Sequence, residues 1–412
     1  CVILVGLPVM ICEVMLGRRV RLSPMNALSK IADDEVVSRN WRFLGLLGIL
    51  AGFLILSFYS VVAGWSLAYT FFFFGGSLNS VDVSQAESFL NRLTGSSSTL
   101  LFWHSLFMVV TVYIVARGVK NGLELAVKLL TPALFIMLFA LVCYAGIFGN
   151  FLEALEYLFK PDFSALTGDA ILVALGQAFF SLSLGMGALM VYGAYLPRSA
   201  SIIQTSIIIA FADTLVAVLA GLAIFPIVFF YGLEVGQGPG LVFVTLTVGF
   251  GSMPHGQLFG LVFFMLLSIA AWTSAISLLE PIVAWLVETT GIRRGRVAAL
   301  AGFGAWGLGI CSLLSFNHWS EVKVFGRTFF ELSEFLSTSI MLPLGGMLIV
   351  FFVGWKIALK NVLDELDISS KSRQLPVLLL LVKVVAPLGV ALVLIKSSGI
   401  GLIIDRLAKL IF

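Results

Sequence analysis

Residues 170–195 read AILVALGQAFFSLSLGMGALMVYGAY, an apolar run that carries Ser181, Ser183, Gly185 and Gly187 near its middle. About 20 apolar residues suffice for a transmembrane helix, yet glycines at that depth loosen it. Freed carbonyl and N–H groups are tolerable in hydrocarbon only where they line a cavity inside the protein. A break at the midplane would offer carbonyl ends to a bare hard cation and a helix N-terminus to a carboxylate. The same small residues would also suit a helix-packing face. Gln177 adds a polar group one to two turns upstream.

The chain around this run has the composition of a membrane protein. Of its 412 residues 60% are hydrophobic and 11% charged, against roughly a quarter charged in soluble proteins. The mean hydropathy is +1.08. So little charge could not clothe a soluble globule, which excludes soluble enzymes and nucleic-acid binders first, and a net charge of +3 is too small and too dispersed for a polyanionic partner. Runs of bilayer length fall at about 1–16, 43–74, 100–116, 125–148, 168–195, 202–231, 257–288, 297–315, 333–355 and 376–396. Their lack of period-two alternation predicts ten transmembrane helices in an all-α integral membrane protein, not a barrel. The tail 399–412, GIGLIIDRLAKLIF, is too short to cross and reads as an interfacial amphipathic segment.

Lysine and arginine collect in cytoplasmic loops. One alternate set of connections holds Arg18, Arg19, Arg21, Lys30, Arg39, Arg42, Arg117, Lys120, Arg198, Arg293, Arg294, Arg296, Lys356, Lys360, Lys371 and Arg373. The other holds only Arg92, Lys160, Lys323 and Arg327. The basic set is cytoplasmic, which puts Cys1 outside and leads us to expect a further helix upstream. Cys1, Cys12, Cys143 and Cys311 lie in apolar runs without metal or CxxC spacing, so neither a disulfide nor zinc is expected. His104, His255 and His318 fall at or near span ends and read as interfacial residues.

Three carboxylates sit in apolar surroundings and each demands a partner. Asp213 lies near the centre of IIIAFADTLVAVLAGLAIF, where an unpaired acid costs about 2.5–3.5 kcal/mol on insertion scales. Glu13, in PVMICEVMLG, and Glu280, in AISLLEPIVAW, could accept hydrogen bonds from N–H groups released by a broken helix, or simply tie helices together. Thr273 and Ser274 place two hydroxyls at depth, available to an ion or to their own backbone.

Taken together, GQAFFSLSLGMGALMVYGAYL, WTSAISLLEP, GQGPGLVFVTL and GLPVMICEVMLGRR resemble the neurotransmitter:sodium symporter family, in its bacterial amino-acid branch. The resemblance covers nearly the whole chain, from the family's second helix to its eleventh; the family's first helix has no counterpart here. It implies an inverted five-helix repeat, with 1–148 the first repeat, 149–356 the second, and 357–412 a loop, a final span and a tail. It also implies that Ser181 and Asp213 supply oxygens to one sodium ion. The Ala270 carbonyl with the Thr273 and Ser274 hydroxyls would serve a second, and oxygen donors are what a hard cation requires. By the same resemblance Tyr59 holds an amino acid's carboxylate, Ile55, Ser183, Met186 and Leu278 line its side-chain pocket, and Phe180 closes over it. Glu334 and Glu288 stand where the family places the acids of the outer and inner gates, and Glu13 where it steadies unwound backbone.

The implied activity is sodium-coupled import of neutral, hydrophobic or aromatic amino acids, with no cofactor beyond Na⁺ and no enzymatic step. The implied location is the cell membrane, with lipid the surrounding partner. Oligomeric state is not legible. Asp213 at the sodium site implies transport that does not need chloride. A proton-coupled carrier of the same fold, titrating Asp213 or Glu280, is one alternative. A receptor or non-transporting membrane scaffold is the other.

Overall fold

The computed structural model describes residues 1–412 except 79, 165, 234–237, 370, 373 and 398–412, and leaves out the side chains of 120, 121, 374 and 397. The amphipathic tail expected at 399–412 and the first two residues of GQGPG therefore lie outside the described residues. All ten expected spans are helical. A π turn at Val2–Gly6 leads into α1 (Leu7–Val20); α2 (Pro24–Asp34) follows, then α3 (Arg42–Phe74), α4 (Val83–Gly95), α5 (Ser97–Ala116), α6 (Leu125–Phe148) and α7 (Phe151–Phe159). The fifth span is interrupted, as α8 (Gly168–Ser181) and α9 (Ala188–Tyr195). Beyond it come α10 (Ile202–Phe230), α11 (Leu246–Ser252), α12 (Gly256–Thr290), α13 (Arg294–Leu314), α14 (Phe329–Glu334), α15 (Leu342–Trp355) and α16 (Leu359–Leu366). The final span is α17 (Gln374–Leu380), a π segment at Leu381–Val385, and α18 (Ala386–Ser397).

Eight of these spans are long and apolar enough to cross a membrane without interruption; the other two are the first run and the broken one. Short helices α2, α4, α7 and α16 occupy connections that hydropathy alone leaves blank, because amphipathic segments on a surface do not raise the mean; α11 with the π segment before it is apolar and buried but too short to cross. Local chemistry explains their limits. Asp82 and Gln85 form a capping box at α4, Thr328 and Glu331 another at α14, and the Thr167 side chain accepts from Ala170 N–H to start α8.

α3 is the central post: 61% of its most apolar stretch is buried by protein, against 11% for α6 and 17% for α10, which are left to face lipid. α3 and α12 cross through the middle of the bundle, and α5 and α13 pack on their outer side. α1 meets α9 through small residues placed reciprocally. A Cβ on Gly17 would strike the Met190 carbonyl, and one on Gly193 the Val14 carbonyl, so backbones touch where side chains could not. All four cysteines are free. His104 departs from its interfacial reading: it is fully buried in α5, stacked 3° from parallel with Trp306, its Nε2 3.1 Å from the Trp306 carbonyl. Aromatic stacking and one backbone partner place it inside the bundle.

Candidate functional site

Between Ser181 and Ala188 the helix opens. Leu182, Ser183 and Leu184 still donate backward, to the carbonyls of Ala178, Phe180 and Phe179, and then the ladder stops. Ser183, Gly185 and Gly187 take φ values of 56°, 79° and 77°, the left-handed region that glycine enters freely and serine at a cost of about 1–2 kcal/mol. The stretch is hemmed in by bare backbone. A Cβ on Gly185 would meet the Leu342 carbonyl of α15, and one on Gly48 of α3 would come 3.1 Å from the Gly185 carbonyl. Packing against two neighbours therefore holds open a conformation that an isolated helix would close.

The amide freed at Gly185 donates to Glu13 Oε1 at 2.5 Å, and Glu13 is fully buried. Its Oε2 has no partner among the described residues. On the other arm the Ser181 hydroxyl donates to Asp213 Oδ2 at 2.5 Å, which supplies the partner that a carboxylate in mid-span demands. Glu280 does not reach the break; of its two readings, acceptor of a released N–H or tie between helices, it follows the second. It lies at the basic end of α12, ion-paired with Arg294 Nη2, and accepts from the Tyr195 hydroxyl at 3.0 Å. Arg294 Nε also donates to the Val115 carbonyl at 2.9 Å. A guanidinium within reach outcompetes a distant amide for a buried acid.

A cavity of about 440 Å³ opens beside the break. Ile55 and Tyr59 of α3, Phe180, Ser183 and Met186 of the broken span, and Leu278 of α12 line it, with Gln177, Ser181, Asp213, Thr273 and Ser274 among its polar groups. Tyr59 hydrogen-bonds the Ser274 side chain, and the Thr273 hydroxyl donates to the Ala270 carbonyl at 2.8 Å. Ala270 thus joins the group through its carbonyl and is not itself among the lining residues.

Phe180 and Gln177 also border a cavity of about 700 Å³ that contains Glu334 and Thr338. Ser181, Ser183, Asp213 and Ser277 border a further one, of about 390 Å³, bounded by Tyr192 and Thr205. Three spaces thus run through the bundle, and the broken span is the wall common to all of them. Glu288 is not in any of the three. It accepts from Ser23 N–H at 2.9 Å, from the Ser23 hydroxyl at 2.6 Å and from Asn26 at 2.9 Å, which caps α2.

Sequence reading had not found Val127 and Thr131 of α6, which also line the central cavity, nor Ser277, whose Oγ lies 2.5 Å from the Tyr192 hydroxyl. Thr131 precedes Pro132 inside α6, and that dipeptide was the available signal. Among the described residues no cluster of three or more His, Cys, Asp or Glu suits a metal ion. The donors gathered here are hydroxyls, carbonyls and single carboxylates, the set that suits an alkali cation.

An all-helical membrane protein with a span broken at mid-bundle, around a cavity lined by oxygen donors and a tyrosine, defines a secondary transporter. The model of the sodium:neurotransmitter symporter family matches residues 81–401. The chain is 34% identical over 400 residues to the sodium-dependent transporter YhdH of Bacillus subtilis, covering 97% of this chain and 88% of that one. It is also 34% identical over 402 residues to a sodium-dependent transporter of Haemophilus influenzae, covering 96% and 88%. The crystal structure of MhsT in complex with L-phenylalanine matches with a TM-score of 0.88 at 39% identity, over 96% of this chain and 89% of that one. The chain therefore belongs to the sodium:neurotransmitter symporter family. It is a multi-pass membrane transporter with the inverted five-helix-repeat fold, coupled to sodium, and not an enzyme.

Proposed function

We propose that this protein imports neutral amino acids with hydrophobic or aromatic side chains, by alternating access around the central cavity. The observation that carries the reading is the meeting, in one space of about 440 Å³, of a tyrosine hydroxyl, an opened helix and an aliphatic wall. Tyr59 and the freed backbone would hold the substrate's carboxylate and ammonium. Ile55, Met186 and Leu278 would take its side chain, with flexible Met186 adjusting to size, and Phe180 would close over it from the outer side. The complex of MhsT with L-phenylalanine supports an aromatic substrate.

Ser181 and Asp213 would ligate one sodium ion, and Ala270, Thr273 and Ser274 a second. Each hydroxyl now satisfied inside the protein would turn toward the ion as it enters. A bound cation offsets the charge of Asp213 and draws the substrate's carboxylate, so ion and substrate would raise each other's affinity reciprocally. Gln177, Glu13, Glu280, Glu288 and Glu334 would act as supports and gates. Because Asp213 places a fixed charge beside the first ion, transport is expected to be independent of chloride.

The test is uptake into proteoliposomes of the full chain under an inward sodium gradient, screened over all common amino acids. Saturable uptake of phenylalanine, leucine or a similar neutral side chain is expected, equal in chloride and gluconate, and lost in Tyr59→Phe and Asp213→Ala. Uptake that follows a pH gradient and ignores sodium would favour a proton-coupled carrier. Substrate-induced stabilisation without flux would favour a receptor.

A further inference from the structure

At the basic end of the bundle, α1, the end of α15, α16 and the final span enclose a cavity of about 200 Å³, separate from the three spaces above. Lys383 is the one charged group in its otherwise apolar lining. Ile11 and Cys12 contribute from α1, Val362 and Leu366 from α16, and Leu378 from the final span. An aliphatic cavity of about 150 Å³ admits benzene, so this one has room for several methylenes and no aqueous group.

Lys383 sits in the π segment eight residues beyond Leu375, where the last span starts, about 12 Å along the helix at 1.5 Å per residue. A charge at that depth must snorkel or find an anion. No carboxylate pairs with Lys383 among the described residues. Instead its ammonium lies 5.7 Å from the ring centroid of Trp355, a residue 59% exposed at the level where indoles mark the membrane interface. Its stem crosses Gly354, where an added Cβ would come 3.2 Å from Lys383 Cγ. Around it Val377 and Leu380 face outward, and Lys356 follows Trp355 at the end of α15. α16 is held in place by charge: Arg18 pairs with Glu365, and Glu35 accepts from Ala358 N–H and Asn361.

We propose that this cavity takes up an acyl chain of one anionic phospholipid from the cytoplasmic leaflet, with the headgroup phosphate on Lys383. The chemistry argues for each half. Snorkelled to the level of Trp355, the ammonium meets the one molecule that presents an anion at the interface with a hydrocarbon chain below it, a lipid, and an unpaired ammonium selects an anionic headgroup over a zwitterionic one. The occupied cavity would buttress α1 at Cys12, next to the Glu13 that holds the opened helix at Gly185.

The test places the full chain in nanodiscs of phosphatidylglycerol or phosphatidylcholine with the same acyl chains, and reads lipid retained after detergent extraction by native mass spectrometry. Wild type is expected to keep one phosphatidylglycerol per chain. In Lys383→Gln the preference for phosphatidylglycerol should fall about fivefold, the share of one basic residue at an anionic surface, while Lys383→Arg keeps it. Val362→Trp, which fills the cavity, should release the lipid. Equal retention of the two lipids by wild type, or an unchanged preference in Lys383→Gln, overturns the proposal. Should Val362→Trp fail to fold, quenching by brominated phosphatidylglycerol of the fluorescence lost in Trp355→Phe decides instead. Quenching stronger than by brominated phosphatidylcholine is expected, and equal quenching refutes the site.

Discussion

Glu13 and Glu280 are buried to the same degree, 0% and 1% exposed, and they have solved the same problem in opposite ways. Glu280 has drawn a guanidinium from the neighbouring helix and a tyrosine hydroxyl from α9, leaving α12 an unbroken rod. Glu13 has taken a main-chain amide from a helix that gave up its own ladder. A buried acid beside a continuous helix needs an imported charge, whereas one beside an opened helix can be satisfied by the fold itself. The first arrangement locks elements together. The second keeps a strained conformation available for binding.

The strongest way to break this contrast is Arg294→Met, which leaves Glu280 buried and unpaired; a loss of about 3–5 kcal/mol is expected, read as the thermal midpoint of purified protein. Adding Glu280→Gln to it should recover most of that loss. If the single change proves mild, Glu280 does not depend on its ion pair.

Next comes Gly185→Ala. Its Cβ would meet the Leu342 carbonyl at a φ of 79°, and about 2–3 kcal/mol should be lost to conformation and repacking. Gly176→Ala, seven residues short of Ser183 in continuous α8 with open space around it, should be neutral or stabilising by up to about 1 kcal/mol. Similar effects at the two glycines would mean that the opening is not held by its neighbours.

At Glu13 the expected effect divides by substituent. Glu13→Ala strands the Gly185 amide and should cost about 1–3 kcal/mol, while Glu13→Gln keeps an acceptor and should cost less than half as much. Chemical-denaturation midpoints would separate them, and equal losses would show that charge, not hydrogen bonding, is what the break requires.

The smallest effect concerns Glu35, at the end of α2. Burial alone would raise its carboxyl, but hydrogen bonds from Ala358 N–H, Asn361 and Arg19 bring it below its ordinary value. Its stabilisation is therefore complete above the unfolded value near pH 4.3 and fades as pH falls through the folded one. Acid melting below about pH 4.3 should flatten in Glu35→Gln; an unaltered slope would assign the pH dependence elsewhere.

Hydropathy alone marked out the ten apolar runs, because a bilayer imposes one length on whatever crosses it. The site of the break was legible in part: glycines at 185 and 187 within an apolar run fit a break as well as a helix-packing face, and Asp213 in mid-span required a partner that proved to be Ser181. What the sequence could not decide was which buried acid serves which purpose. Glu13 and Glu280 look alike in one dimension, and only the tertiary structure set one against the Gly185 amide and the other against Arg294. Burial of His104 was likewise invisible, since its partner Trp306 lies 202 residues away. Composition specifies what a segment must avoid, but the choice of partner across the bundle depends on packing between helices distant in the chain, and periodicity carries no record of it.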